Sequence, residues 1–356
     1  VRLSLVISTL TCGGAERVMS LLANEWARRG NAVQLVTLDV EPPFFPLDDR
    51  VELVQLGCEK PSPTPLHALW NLYASVRALR RQFRSFGADA VVAFTTRVNV
   101  KALMAAAPLR VPVVVSERTN PEADPPAPFW KRLVDRWYPT ARRIVVQTQK
   151  VADFYAALGL RRLSLIPNPV ELLPAVAHRS GGSLLWLAVA RMSPEKGVDL
   201  LLEAWARSRQ RERAKLRILG DGAQRAALEA LADALGIRHT VEFAGFVSDK
   251  APHWAEASAF VLSSRHEGFP NALCEAMAAG LACVSFDCPS GPAELIRDGE
   301  NGLLVPAENV DGLAAAMDRV ADDAALRERL GREAVHIIET LGLPGIVDRW
   351  EAALRP

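Results

Sequence analysis

Glu267 and Glu275 stand eight positions apart in Glu267-Gly268-Phe269-Pro270-Asn271-Ala272-Leu273-Cys274-Glu275. The apolar run 259–263 reads as a buried strand, and 271–279, with Gly280 behind it, reads as a short helix closed by a glycine. Pro270 suits the first helical position, where a missing N–H costs nothing. One carboxylate then lies on the strand-to-helix loop and the other about one turn into the helix. The first-turn N–H groups of Asn271, Ala272 and Leu273 point into the gap and favour an anion such as a diphosphate. Carboxylates on either side accept hydrogen bonds from sugar hydroxyls. The segment therefore suits a molecule with a phosphate centre and a sugar at each end.

Two further stretches carry charge or close backbone to such a ligand. Arg191 directly follows the apolar strand 185–190, and Lys196 lies five residues on, ahead of Gly197. Ligands of open α/β sheets bind outside the carboxyl ends of the strands, where this loop belongs. A guanidinium and an ammonium there can clamp a diphosphate and meet the charge that grows on it as a leaving group. An isolated pair of this kind is more often a solvated loop. Gly13-Gly14 sits between the first strand and the first helix, so backbone can approach a phosphate or sugar closely. No Asp-x-Asp pair occurs, so no metal bridging a diphosphate is expected, and His266 is a lone histidine on a loop. The five cysteines are scattered without a Cys-x-x-Cys pair, which points to reduced thiols rather than disulfides or zinc.

The elements that must position these residues alternate strand and helix through both halves of the 356-residue chain. In the first half, 3–8, 33–38, 90–94, 113–116, 144–147 and 163–166 read as strands, and 15–29 as an amphipathic helix. In the second, 185–190, 216–219, 241–243, 259–263 and 283–286 read as strands, with 200–207 and 223–235 as helices. Ile166-Pro167-Asn168-Pro169-Val170 breaks the pattern and Ser180-Gly181-Gly182-Ser183 reads as flexible, so a domain boundary belongs between them. The expected division is 1–172, 173–340 and a terminal helix over 341–356.

Apolar residues at 49% suffice for two cores, and no run approaches the length of a spanning helix. Arg2 followed by 3–7 is too short for a signal peptide. The net charge of +1 conceals an asymmetry: residues 1–175 hold 22 Lys+Arg against 15 Asp+Glu, a net of +7, leaving 20 against 26 beyond. Aromatic and basic residues interleave in Phe129-Trp130-Lys131-Arg132 and Arg136-Trp137-Tyr138, and Arg77, Arg80, Arg81 and Arg84 line another expected helix. Such mixtures dock helices on anionic bilayers, and equally arise when aromatic rings pack inward and cations face water. The surplus is modest and no recognition motif accompanies it, so nucleic acid is not an expected partner.

Glu-(seven residues)-Glu with Gly-Phe-Pro after the first Glu resembles the signature of the retaining glycosyltransferases of family 4. Gly13-Gly14-Ala15-Glu16-Arg17, Arg191-Met192-Ser193-Pro194-Glu195-Lys196-Gly197, Leu219-Gly220-Asp221-Gly222 and Gly299-Glu300-Asn301-Gly302-Leu303-Leu304 resemble that family's motifs in its order, from about residue 3 to about 350. The resemblance implies an α/β chain of GT-B fold, two facing Rossmann-like domains with a cleft between them, whose last helix packs back on the first. It implies that Glu275 holds ribose hydroxyls, that Glu267 lies by the transferred sugar, and that Arg191 and Lys196 meet the diphosphate. Loops near Gly220 and Gly245-Phe246-Val247 would hold the base. Asp287-Cys288-Pro289-Ser290-Gly291-Pro292-Ala293-Glu294 is similar to the branch that assembles bacterial surface glycans, which places Glu294 near sugar or base. The expected activity is retaining transfer, without metal or other cofactor, of a hexose or N-acetylhexosamine from a nucleoside diphosphate, UDP foremost. The acceptor would be lipid-linked or another oligosaccharide, with the chain in the cytoplasm or on the inner face of the cytoplasmic membrane. A sugar-nucleotide epimerase, a phosphorylase on the same fold and a non-catalytic sugar-nucleotide-binding protein are the alternatives; a pyridoxal-binding lysine is not recognisable.

The chain departs from the family pattern at one place. Many members carry a donor-contacting histidine after the strand that ends here at Ser116, and Ser116-Glu117-Arg118-Thr119-Asn120 puts Arg118 at that position. A guanidinium donates hydrogen bonds but does not act as a base near neutral pH, so the histidine's role does not transfer whole. Arg118 and Glu117 both stand as candidates for what replaces it.

Overall fold

The structure, a computed structural model, describes residues 1–59, 62–122, 124–171 and 183–355. The chain divides into two compact units, Val1–Pro169 with Leu343–Pro356, and Val170–Gly342. The expected 172/173 boundary and Ser180, Gly181 and Gly182 lie outside the described residues. At the limits of the second unit, the Val170 N–H donates to the Leu341 carbonyl at 2.8 Å.

The first unit holds a parallel sheet of β1 (Arg2–Ile7), β2 (Ala32–Thr37), β3 (Val51–Gln55), β4 (Ala90–Phe94), β5 (Val113–Ser116), β6 (Arg143–Val146) and β7 (Leu163–Leu165). Their order is β3-β2-β1-β4-β5-β6-β7, with Leu5 level with Leu35 and with Val92. The central strands β4 and β5 are buried throughout, because helices cover both faces, and so they read as continuous apolar runs. The strand over Val51–Gln55 is absent from the sequence reading. It is an edge strand with only Val51 fully buried, so it lacks the apolar density of the others.

The helix Gly14–Arg28 follows β1, and Val18, Met19, Leu22 and Trp26 on one face enter the core. The helix Leu343–Leu354 belongs to this same unit. Its Trp350 is fully buried, edge-on to Trp26 at 6.4 Å and tilted against Phe94 at 5.6 Å. Arg29 fixes the helix from outside, donating to Asp348 at 2.5 Å, Glu351 at 3.1 Å and the Pro344 carbonyl at 3.0 Å, while its Nε binds Glu25 at 2.9 Å.

The second unit holds β8 (Leu184–Val189), β9 (Ala214–Leu219), β10 (Val241–Gly245), β11 (Ala259–Leu262), β12 (Ala282–Asp287) and β13 (Leu303–Pro306). All run parallel in the order β10-β9-β8-β11-β12-β13. β13 is likewise absent from the sequence reading; it begins in the last two residues of the Gly299–Leu304 motif and ends in Pro306 on the sheet edge, where a strand tolerates proline. Strand order reverses between β8 and β11. Loops leaving the carboxyl ends of those two strands therefore flank the crevice where open sheets bind ligands. Among the described residues no helix is long and apolar enough to cross a membrane.

Candidate active site

The loops after β8 and β11 are locked together at their roots. Gly197 has φ 59°, and a Cβ there would lie 2.1 Å from the Ser263 carbonyl oxygen, so only glycine lets the turn seat against the end of β11. Ser263 Oγ donates to the Lys196 carbonyl at 3.2 Å. Arg265 adds a second tie: its Nη1 donates to the Pro194 carbonyl at 2.7 Å and its fork engages Asp199 at 2.9 and 2.7 Å. The Met192 N–H, next to Arg191, donates to the Asp221 carbonyl at 2.9 Å, fixing the start of the loop to the one after β9.

This bracing delivers Lys196 to Glu267. The ammonium donates to both carboxylate oxygens, at 2.8 and 2.7 Å, and Ser264 Oγ donates to Oε1 at 2.6 Å. Glu267 is buried, and its backbone carbonyl accepts from Ser290 Oγ at 2.6 Å. Sequence reasoning gave Lys196 to a diphosphate; in the structure two of its three donors serve Glu267. Arg191 is exposed, and among the described residues no ion pair or hydrogen bond engages its guanidinium.

The helix after Glu267 runs Asn271–Ala278, so Pro270 caps it instead of occupying its first position. Of the three N–H groups expected to face an anion, that of Asn271 donates to the Phe269 carbonyl at 2.9 Å. A turn at Pro270 consumes it, while among the described residues the Ala272 and Leu273 N–H groups meet no partner. Gly268 and Phe269 are half-buried on the loop itself. Glu275 is buried one turn along, and Lys250 Nζ donates to its Oε2. Lys250 stands on the loop after β10, 25 residues from its partner in sequence, and nothing in the sequence singled it out. Each glutamate of the pair thus has a lysine of its own. Phe246, on the same loop, exposes its ring, and Glu294 is exposed on a short helix over Pro292–Leu295.

In the first unit, Gly13 caps the helix Gly14–Arg28, in extended conformation at φ −161°. Any residue adopts that angle, and a Cβ there would meet only the Glu16 carboxylate, a flexible group that can move aside. Gly14 is exposed at the first helical position. Arg118 follows β5, stacked 4.0 Å over the Phe94 ring, with Nη1 3.4 Å from Ser116 Oγ. Its Nη2 is buried, with no hydrogen-bond partner among the described residues. Burial pushes the guanidinium down to about 9, against the raising field of Glu16, which leaves it charged at neutral pH.

Glu117 faces away into a network of its own. Its oxygens accept from Thr96 Oγ1 at 2.8 Å, Asn99 Nδ2 at 3.1 Å and the Tyr138 hydroxyl, and Tyr155 also bears on it. Burial pushes its carboxyl up to about 6, against the lowering hydrogen bonds. Of the two candidates after Ser116, Glu117 ties together helices of its unit and Arg118 keeps an unspent donor.

Residues 12–172 match the family described as Glycosyltransferase Family 4, and 173–336 match the Glycosyl transferases group 1 family. The chain belongs to the family 4 glycosyltransferases. This glycosyltransferase is 26% identical to a Campylobacter jejuni enzyme named as a GalNAc-alpha-(1->4)-GalNAc-alpha-(1->3)-diNAcBac-PP-undecaprenol alpha-1,4-N-acetyl-D-galactosaminyltransferase, over 98% of this chain and 97% of that one. It is 30% identical to an exopolysaccharide phosphotransferase of Streptomyces coelicolor over 95% of its own length, and spans 39% of that longer relative. Among solved structures, Anabaena HepE in complex with UDP and glucose matches 99% of the glycosyltransferase and 98% of its own chain, with a TM-score of 0.79 at 19% identity. That likeness bears on the fold, which is the GT-B type with two Rossmann-like parallel-sheet domains.

Proposed function

We propose that this glycosyltransferase moves a hexose or N-acetylhexosamine, with retention and without a metal ion, from a UDP-sugar to a lipid-linked or other oligosaccharide acceptor in bacterial surface-glycan assembly. The observation that carries the reading is the pair of buried carboxylates, each met by a lysine, on either side of a helix start with two unspent N–H groups. Glu275 accepts from ribose hydroxyls, the Ala272 and Leu273 N–H groups meet phosphate, and Glu267 holds the sugar beside the bond that breaks. Gly13 and Gly14 are assigned to close backbone approach. UDP as the nucleotide is supported by HepE, whose structure contains it. The lipid-linked acceptor is supported by the Campylobacter relative, whose name specifies an undecaprenol diphosphate glycan.

The C1–O bond of the donor breaks with its electron pair passing to the β-phosphate oxygen. That oxygen takes the proton of the acceptor hydroxyl, whose own oxygen bonds C1 on the face just vacated. Arg191 and the remaining donor of Lys196 meet the growing phosphate charge, which is the part a metal plays elsewhere. Arg118 contributes its unspent N–H as a donor and moves no proton. The test is incubation with a panel of radiolabelled nucleotide sugars, with and without membrane lipid and EDTA, followed by NMR of the new anomeric centre. A product of retained configuration that is insensitive to chelator is expected. An inverted linkage, strict dependence on added Mg²⁺ or Mn²⁺, or no transfer from any donor would refute it.

A further inference from the structure

The helix Pro65–Phe86 carries four arginines and no acidic residue in 22 positions. Its buried side is short: Leu72, Ser75, Val76, Leu79 and Phe83 reach the core, and all but Leu72 lie beyond its second turn. The first two turns instead present apolar side chains to solvent, with Leu66 78% and Trp70 67% exposed, and Leu69 and Tyr73 more than half exposed. Trp70 and Tyr73 lie ring to ring at 5.9 Å.

The positions 66, 69, 70, 73, 77, 81 and 84 recur at helical spacing and so share one face, about 27 Å long. Apolar groups occupy its first part and Arg77, Arg81 and Arg84, all exposed, its second. Arg80 is not among them, because its guanidinium donates to the Ala105 and Met104 carbonyls at 3.3 and 3.1 Å. The other basic cluster read from the sequence is weaker: Lys131 is already paired with Asp135 at 2.9 Å, and Trp130 and Trp137 pack on the core. A soluble surface does not ordinarily gather this much contiguous apolar area.

We infer that this face docks on an anionic lipid bilayer. Leu66, Leu69, Trp70 and Tyr73 enter the headgroup–acyl boundary, and Arg77, Arg81 and Arg84 lie against lipid phosphates. Indole and phenol rings suit that boundary, since each has an apolar body and a polar tip. Cations without carboxylate neighbours on their helix keep their full attraction for phosphate. The inference deepens the lipid-linked-acceptor reading by naming the element that brings the enzyme to the membrane.

The test is co-sedimentation of the full chain with phosphatidylcholine vesicles, with and without phosphatidylglycerol, in the absence of donor and acceptor. Binding to the anionic vesicles at low salt, much weakened at high salt, is expected. Arg77→Gln with Arg81→Gln and Arg84→Gln lowers partitioning by roughly 10²-fold, and Leu66→Ser with Trp70→Ser by about tenfold or more. All these side chains are exposed, so thermal melts of both variants stay at the wild-type temperature. No binding at low salt, or equal binding by all three proteins, overturns the inference. So does a dimer in analytical ultracentrifugation that the Leu66/Trp70 variant dissolves, which would give the face to a second copy of the chain. Turnover on a water-soluble acceptor analogue, measured in parallel, stays unchanged in both variants; its absence in the wild type would count against the proposed transfer and leave the docking result standing.

Discussion

Replacing Lys196 and Glu267 singly and together separates bracing from chemistry. Lys196→Met strands a buried carboxylate with Ser264 as its remaining side-chain donor, and breaking a buried pair costs about 3–5 kcal/mol. Lys196 is 22% exposed, so water reaches the vacated space and the loss falls to the bottom of that range or below, about 2–3 kcal/mol. Glu267→Gln keeps the Ser264 contact but turns an amide towards the ammonium, for a loss of about 1–2 kcal/mol. The double variant leaves no uncompensated charge and should return to within about 1 kcal/mol of wild type, a coupling of about 2–4 kcal/mol. Turnover should not follow stability: with either charge gone, all three variants should lose roughly 10²-fold or more. Urea unfolding gives the stabilities and steady-state transfer the rates. Recovery of turnover together with stability in the double variant would make the pair a structural brace and place the chemistry elsewhere, and strictly additive stabilities would deny the contact.

Lys250→Ala should raise the donor KM about tenfold while kcat changes little, with Lys250→Arg largely restoring it, because the ammonium holds Glu275, which the proposed function puts at the nucleoside end and not at the breaking bond; a kcat effect equal to the KM effect would contradict that assignment. Glu117 has a folded pKa pushed up to about 6 from an ordinary carboxylate, so its protonation contributes stability that is present below about pH 4.5 and lost as the pH rises through 6, up to about 2 kcal/mol. Glu117→Gln should therefore gain on wild type by that amount between acid and neutral pH, and parallel pH profiles in urea titrations would refute the burial argument. Trp350→Ala should destabilise the first unit by about 3–5 kcal/mol through the space left beside Trp26 and Phe94; a melt unchanged for that unit would show the helix Leu343–Leu354 to be dispensable there.

The central strands were legible because burial on both faces turns them into uninterrupted apolar runs, as in Ala90–Phe94 and Ala259–Leu262. The edge strand over Val51–Gln55 was not, since a half-exposed strand needs little apolar density, and Leu303–Pro306 is apolar but short and closed by a proline. The carboxylates 267 and 275 were legible because both sit on one local turn of chain. Lys196 was singled out, but its pairing with Glu267 was not legible, nor was Lys250, for both reach their glutamates through the order of strands in the sheet, across 71 and 25 residues. Local detail also escaped at Asn271, whose N–H is consumed by a turn that the proline before it imposes. Arg265, which fastens the β8 loop, belongs to no motif and appears only once that loop and the end of β11 are in place.

The return of the chain to its first unit has a consequence for biosynthesis. The hydrophobic seat formed by Trp26 and Phe94 is translated long before the helix Leu343–Leu354 that covers it, with the whole of Val170–Gly342 emerging from the ribosome in between. At elongation rates of about 5–20 residues per second, that seat stays open for on the order of ten seconds or more. The nascent first unit is thus the stage at which chaperones or misassembly compete with folding. A ribosome stalled anywhere within Val170–Gly342 would leave a chain whose second unit is incomplete and whose first still lacks its closing helix.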